Sequence, residues 1–437
     1  MQKKVLVIGG GGREHAVTIA FLKSEHKPKV FVLPGNAGTA EIAFNVTGID
    51  TKDHQKIIEF CKKEQIDLVF IGPEQPLVDG LVDDLTLANI KVFGPSKGAS
   101  QLEGSKIFMK NLVEKNSIPT ADFKAFTELP LALAHISKAK QYPLVIKTDG
   151  LASGKGVVIA KNHDEATTAI GEFFNGKFGE AGKKIIVEEF LDGFEVSYFV
   201  ICDGKNFLPI GFAHDHKKIG ENDTGLNTGG MGAFSPSPFI NKNIEEKVIR
   251  KIILPTLRAM EKSGNSFSGI LFAGLMIVKD EPKLLEYNIR FGDPETQVIL
   301  PTIKSDFFEL IDSAVNKTLN NFKIELHEGL KAVCLVVSAL GYPLDYQNGI
   351  AITLPKNLNN DFYSKGKLQN AEGYILHAGT VKDDNGVLLS NGGRVLNIVA
   401  TATNFKDAIK CVYEIAENIN WSHGYFRKDI AKRAINF

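Results

Sequence analysis

From Lys4 to Pro95 the hydrophobic pattern switches repeatedly between short apolar runs and helical spacing, and this alternation limits the fold more than any other feature. KVLVIG (residues 4–9) reads as a buried strand, REHAVTIAFLKS (13–24) as a helix and KVFVLPG (29–35) as a second strand. HQKIIEFCKKE follows, with Ile57, Phe60 and Cys61 on one helical face, then the strand DLVFIGP. Val78, Leu81, Val82 and Leu85 stripe another helix before the short strand KVFGP. Strands alternating with helices predict a parallel, doubly wound sheet, here over residues 1–102.

The remaining chain reads differently. A helix is expected over 105–115, ending before Ile118-Pro119. Strands YPLVIK and GVVIA flank the glycine-rich TDGLASGK, and KIIVEEFL, EVSYFVICDG, KNFLPIGFAH, GILFAGLMIVKD and PKLLEYNIRF continue the strand series, with a long helix over 245–262. This mixture predicts an α+β module over 103–325. Strands AVCLVVSAL, YILHAGT and RVLNIVAT with the helix DAIKCVYEIAENI predict a small C-terminal α+β domain over 326–437. The expected fold is therefore multidomain, α/β then α+β.

Charge and composition exclude several functions. Lys plus Arg and Asp plus Glu both number 51, which argues against one large basic face and against nucleic-acid binding. No run approaches the roughly 18 apolar residues that a membrane helix needs. The first apolar run, residues 5–8, is too short for a signal peptide, and Cys61, Cys202, Cys334 and Cys411 show no metal or redox spacing. A cytoplasmic location is expected. The chain's 41 Gly against 17 Pro, without low complexity, predict close backbone approaches at turns or around a ligand.

Four segments could carry chemistry. Gly9, Gly10, Gly11 and Gly12 join the first strand to its helix, where backbone N–H groups favour an anion. A dinucleotide fingerprint fails there at two positions, Glu14 and the missing acid after the second strand. With Gly35, Asn36, Ala37, Gly38 and Thr39 at the neighbouring strand end, the pair of loops favours a sugar phosphate; a tight turn without ligand is the competing reading. DGLASGKG (149–156) is no P-loop, because its glycines are mis-spaced and a strand follows, yet such a loop can fold over a polyphosphate with Lys147 as point charge. Alternation in residues 285–291 puts Leu285, Tyr287, Ile289 and Phe291 on one face and Glu286, Asn288 and Arg290 on the other. A carboxylate and an amide oxygen two residues apart suit Mg²⁺ or Mn²⁺; an edge strand with a wet face is the alternative. Residues 213–238 are too polar and glycine-rich to be a core element, and His214 and His216 lack a third ligand for zinc.

These segments together resemble the phosphoribosylamine-glycine ligase (glycinamide ribonucleotide synthetase) family of the ATP-grasp superfamily. The similarity runs through GGGGREHA, PGNAGTA, GPEQPLVDG, QLEGSK, IKTDGLASGKGV, VEEFLDGFEVS, DHKKIGENDTGLNTGGMGAFSP, EYNIRFGDPETQ, HAGT and NGGRV, essentially the whole chain. It implies a central ATP-grasp fold with a lid subdomain at about 122–192. The implied activity is ATP-dependent joining of glycine to 5-phosphoribosylamine through a glycyl phosphate, in purine (IMP) biosynthesis. It further implies ATP bound by Lys106, Lys147, Gly154, Lys155, Gly156, Glu188, Phe190, Leu191 and Glu195, and Mg²⁺ or Mn²⁺ on Glu286 and Asn288. Glycine would fall to Arg290, Asp215 and Gly292, and the ribosylamine to Gly9, Gly10, Gly11 and the loop Gly35 to Thr39. Arg290, Lys147 and Asp215 are the expected catalytic groups, acting in a monomer. Two departures stand out. Residues 269–278 hold no acid, which implies one metal held tightly and a second arriving with ATP, and Leu226 stands where proline is expected. Competing readings are an ATP-grasp carboxylase or transformylase, and a nucleotide-binding regulatory module.

Overall fold

The computed structural model describes residues 2–151, 156–177, 179–355, 366–368 and 370–436. Its first unit comprises β1 (Lys4–Gly9), α1 (Gly12–Leu22), β2 (Lys29–Pro34), α2 (Thr39–Ile42), β3 (Phe44–Asn45), α3 (His54–Glu64), β4 (Leu68–Ile71), α4 (Glu74–Asp79), α5 (Leu81–Leu87) and β5 (Val92–Phe93). The strands form a parallel sheet in the order β3-β2-β1-β4-β5. Val5, Leu6, Val7 and Ile8 are all fully buried, as a strand covered on both faces must be. Helix α3 starts where Asp53 accepts a hydrogen bond from the Lys56 amide at 3.1 Å and turns Ile57 and Cys61 inward.

Helices α6 (Gln101–Gly104) and α7 (Lys106–Lys115) lead into a second unit, made of β6 (Phe123–Phe126), α8 (Leu129–Ile136), β7 (Leu144–Thr148), β8 (Val157–Ala160), α9 (His163–Glu172) and β9 (Ile185–Glu189). Its four strands run antiparallel in the order β6-β9-β7-β8 over a core of Ile146, Ile170, Phe173 and Val187.

The third unit is one large antiparallel sheet. It contains β10 (Phe194–Asp203), β11 (Phe207–Asp215), the hairpin β12 (Lys218–Gly220) and β13 (Thr224–Asn227) beside it, and β14 (Gly232–Ser235). Helices α10 (Lys242–Val248) and α11 (Leu254–Lys262) are joined by a π-helical turn over Ile249–Ile253. Pro255, at the start of α11, removes a donor from the regular ladder, and the wider turn absorbs it. Then come β15 (Ser268–Val278), β16 (Glu281–Asn288), α12 (Thr296–Ile299) and α13 (Phe307–Val315). The chain finishes with β17 (Lys331–Ala339), β18 (Gly366–Leu368), β19 (Ala371–His377), β20 (Thr380–Lys382), β21 (Leu388–Ser390), β22 (Arg394–Ala402), α14 (Phe405–Glu417) and β23 (Gly424–Tyr425). The sheet order is β16-β15-β10-β11-β14-β17-β22-β19-β18, so the strands on either side of residue 325 hydrogen-bond directly, through β14 and β17. Among the described residues no helix is long and apolar enough to cross a membrane, and all four cysteines are buried and free.

One expectation fails here. Residues 213–238 were expected to lie outside the core, yet β14 within them is fully buried between β11 and β17. Gly232 makes this feasible: its φ is +159°, and a Cβ there would sit 2.6 Å from the Cys334 carbonyl oxygen. Gly12 marks a similar contact between the first and last parts of the chain, because a Cβ on it would overlap the Asn397 amide and lie 2.9 Å from Gln297 Nε2. Gly12→Ala is therefore expected to cost about 1–3 kcal/mol, read as a lower thermal midpoint; an unchanged midpoint would show that α1 has room to shift.

Candidate functional site

The cross-strand register builds the floor of a basin on the large sheet. Ala213 faces Ser197, Ser197 faces Gly274, Gly274 faces Glu286, and Asp215 faces Ala233. Side chains alternate along strands, so Glu195 and Ser197, Ala213 and Asp215, Gly274, Glu286 and Asn288 share one face. Small residues make the floor and polar ones the rim.

The alternation expected for residues 285–291 holds only in part. The register slips between Gly274 and Leu275, so Leu284 pairs with Leu275 while Glu286 pairs with Gly274. Leu285 is the extra residue of a β-bulge. Leu284, Tyr287, Ile289 and Phe291 face the core, and Leu285 instead joins Ala121, Leu191, Met276 and Val278 in a separate apolar patch beside the basin. The bulge places this patch and Glu286 next to each other.

Neither the Glu286 carboxylate nor the Asn288 amide has a hydrogen bond or ion pair within the described residues. Burial pushes the Glu286 carboxyl up, but Lys217, Lys147, Lys106 and Arg290 together outweigh it and hold the group below its usual range. Two hard oxygen ligands with free lone pairs fit a divalent cation that keeps waters and phosphate oxygens for its other positions. Among the described residues no cluster of three or more His, Cys, Asp or Glu offers a self-sufficient metal cage.

Above the patch lies the four-stranded sheet, with a buried charge row between. Lys147 Nζ is 2.9 Å from Glu188 Oε2 and donates to the Leu285 carbonyl at 3.4 Å. Lys110 Nζ is 2.9 Å from Glu188 Oε1 and donates to Thr120 Oγ1 at 2.7 Å. Burial, the largest influence, lowers the Lys110 pKa. Glu188, expected at the nucleotide, thus places its side chain between two lysines. Lys110 escaped the sequence reading, although its spacing from Lys106 puts both on one face of α7. Lys106 donates to the Gly150 carbonyl at 2.9 Å, and Asp149 accepts from the Ile107 amide and Ser105 hydroxyl, each at 3.1 Å, so the glycine-rich loop is tethered at its first residues. Gly154 and Lys155 lie outside the described residues; Gly156 is buried. The Phe190 and Leu191 amides make no hydrogen bond among the described residues, while the Glu189 amide donates to Asp122. The two free donors lie at the apolar patch to which Leu191 belongs.

On the opposite rim Lys217 Nζ meets Glu195 Oε2 at 2.8 Å. Burial opposes the charged form of Lys217, but Glu195, Asp215 and Glu286 raise its pKa well above the usual value. Arg290 donates from Nε to Glu74 at 3.0 Å, from Nη2 to Glu103 at 3.3 Å and from Nη1 to the Phe291 carbonyl at 3.1 Å. Arg290 draws the Glu74 carboxyl down to about 2, whereas burial lifts Glu103 to about 7. Neither acid was foreseen from the sequence, because each lies on a helix of ordinary composition far from residue 290.

The two N-terminal loops are knitted together. The Asn36 amide donates to the Gly10 and His377 carbonyls, both at 2.9 Å, and its oxygen accepts from the Gly38 amide at 2.9 Å and the Thr39 amide at 3.0 Å. The Ala37 amide reaches the Thr380 carbonyl at 3.3 Å. At the start of α1, Glu14 Oε2 accepts from the Gly11 amide at 2.7 Å, and Glu14 Oε1 meets Arg13 Nε at 2.5 Å. A buried carboxylate thus already takes one of the helix N-terminal amides that the sequence reading reserved for an anion. Burial, with His377 beside it, drops the His15 pKa to about 3, so the ring is neutral and accepts from the His377 amide at 2.9 Å.

The hairpin of β12 and β13, which follows Lys217, is gripped by the end of the chain. Arg427 is 1% exposed and donates to the Lys218 carbonyl at 2.9 Å, Asp223 at 3.0 Å and Asp429 at 2.7 Å. Asp429 accepts from the Asn222 amide at 2.8 Å, Tyr425 donates to the Ile219 carbonyl at 3.0 Å, and His216 Nε2 accepts from the Ala431 amide at 3.1 Å.

A small antiparallel sheet over a large one, with buried lysines between them and a carboxylate-amide pair below, defines an ATP-grasp module. Profiles of phosphoribosylglycinamide synthetase match the chain as an N domain over 3–103, an ATP-grasp (A) domain over 104–296 and a C domain over 332–433. The phosphoribosylamine-glycine ligase of Brucella melitensis is 46% identical over 433 residues, covering 99% of this chain and 98% of the relative. That of Escherichia coli is 44% identical over 436 residues, covering 99% of both. A solved phosphoribosylamine-glycine ligase from Thermotoga maritima superposes with a TM-score of 0.81 at 33% identity, covering 98% of this chain and all of the other. The biotin carboxylase domain of Hydrogenobacter thermophilus 2-oxoglutarate carboxylase shares the fold, with a TM-score of 0.73 at 15% identity over 97% of this chain and 91% of that one. The chain belongs to the phosphoribosylglycinamide synthetase family.

Proposed function

We propose that this chain joins glycine to 5-phosphoribosylamine at the expense of ATP, giving the ribosylglycinamide phosphate, ADP and phosphate in purine (IMP) biosynthesis. The observation that carries the reading is the convergence of Lys106, Lys147, Glu286, Asn288, Arg290 and Asp215 on one basin, in a chain that matches this ligase family over nearly its whole length. The adenine is placed on the Leu191, Met276 and Leu285 patch, against the free amides of Phe190 and Leu191, with Glu195 toward the ribose. Lys106 and Lys147 face the phosphates, with the loop from Gly150 to Gly156 as lid. A divalent cation, Mg²⁺ or Mn²⁺, on Glu286 and Asn288 would neutralise charge on the transferring phosphoryl group.

Glycine's ammonium is assigned to Asp215, which burial keeps above the ordinary carboxyl range and which no cation pairs within the described residues. Its carboxylate is assigned to Arg290 beside Gly292; Glu74, Glu103 and the Phe291 carbonyl hold the fork in place and use one N–H of each nitrogen, which leaves a second N–H on Nη1 and on Nη2 for a ligand. The loops at Gly9 to Gly11 and Gly35 to Thr39 line the side where the ribosylamine would enter. Enclosure by the lid protects the acyl phosphate from water. One chain supplies every group, consistent with a monomer, and four buried thiols suit the cytoplasm.

The test is stoichiometric. ADP release should require glycine together with an amine acceptor, phosphoribosylamine being the natural one; release that needs bicarbonate, or that proceeds fully with no amine present, would replace this reading with that of another ATP-grasp ligase.

A further inference from the structure

Three carboxylates of the basin lack a partner cation within the described residues: Glu286, Asp215 and Glu295. The reading above gives Glu286 to the metal and Asp215 to glycine's ammonium, and leaves Glu295 without a task. Glu295 is 4% exposed, and the one side-chain hydrogen bond to its carboxylate is from Ser197 Oγ to Oε1 at 3.3 Å. Ser197 lies on the basin floor opposite Gly274, in line with Glu286. Gly292 lets the carboxylate fold back over the turn, since a Cβ there would lie 2.7 Å from Glu295 Cδ. A buried carboxylate so weakly satisfied is expensive unless a ligand or a proton completes it.

The reaction needs one more group at this place. In the amide-forming step the ribosylamine nitrogen attacks the glycyl carbonyl carbon, a C–N bond forms, the bond from that carbon to the phosphate oxygen breaks, and phosphate leaves with the electron pair. The nitrogen must shed a proton. Asp215 is held by glycine's ammonium, and Glu286 is surrounded by four cationic groups that keep it ionised and weakly basic. We propose that Glu295 accepts this proton, an assignment that rests on the acyl phosphate reading. The charged groups facing it are Asp215, Lys217, Arg290 and Arg394. Burial first, and Asp215 second, raise the Glu295 carboxyl to about 7, against the pull of its own amide, Lys217 and Arg290. That value suits a base working near neutrality. Turnover should accordingly fall as pH drops through about 7.

Hydroxylamine separates the steps, because it is a strong nucleophile that attacks acyl phosphates with little need of a base. Glu295→Gln is expected to lose at least about a hundredfold in turnover with phosphoribosylamine while still releasing ADP and forming glycyl hydroxamate with glycine and hydroxylamine at near the unaltered rate. Glu295→Asp, which keeps the carboxylate, should recover part of the ribosylamine rate. Undiminished ribosylamine turnover in Glu295→Gln overturns the assignment. So does equal loss of both reactions, which would place Glu295 in glycine activation or in the fold. If the unaltered enzyme forms no hydroxamate, the acyl phosphate reading itself fails and this assignment with it.

Discussion

Glu286→Ala is expected to lower turnover by about a thousandfold or more, the scale lost when a preorganised charge is removed from a phosphoryl-transfer site, while the protein stays folded. The carboxylate makes no ion pair or hydrogen bond within the described residues, so its loss removes no direct contact. It does remove the one acid that Lys217, Lys147, Lys106 and Arg290 jointly face on β16. A second readout is independent of activity: Mn²⁺ binding in the presence of a non-hydrolysable ATP analogue, followed by the signal of the free ion, should weaken by at least tenfold. Full turnover and unchanged Mn²⁺ affinity would take Glu286 out of the metal shell.

The second large effect concerns stability. Glu188 is 2% exposed and lies 2.9 Å from each of two lysines that are themselves nearly buried. Its replacement by alanine leaves both ammonium groups without their ion-pair partner in a dry interface. The expected cost is about 3–5 kcal/mol, a fall of more than about 10 °C in the unfolding midpoint of the unit that contains it. Lys110→Met should cost much less, because Glu188 keeps Lys147. Equal effects from both substitutions would show that the row is not the carboxylate-centred arrangement described here.

Much of this architecture was readable in advance because it follows from strong local periodicities. The parallel sheet rests on β1, β2 and β4, whose apolar runs alternate with an amphipathic helix such as α3. Glu286 and Asn288 were found because polar residues within an apolar strand need a reason to be there. What escaped was of three kinds. The bulge at Leu285 shifts a side chain across the strand, and nothing in the local sequence marks the slip, since it depends on the partner strand. Partners brought together from afar, such as Arg290 with Glu74 and Glu103, have no spacing that a pattern can detect. Strand β14 was missed for the opposite reason: its glycines and neighbouring polar residues resemble a loop, and only the close pass of β17 explains them. Glu295 is similar, an acid in a turn whose significance lies in its burial over Ser197.

The grip of Arg427 on the hairpin after Lys217 has a temporal side. The bonded residues stand 209 positions apart, and synthesis proceeds from the N-terminus. The groups assigned to ATP are all present once residue 291 has left the ribosome, but the hairpin beside the amino-acid end of the basin stays unclasped until residues 425–431 emerge. The contacts that clasp this end of the basin therefore close last, only when the final stretch of the chain has been made.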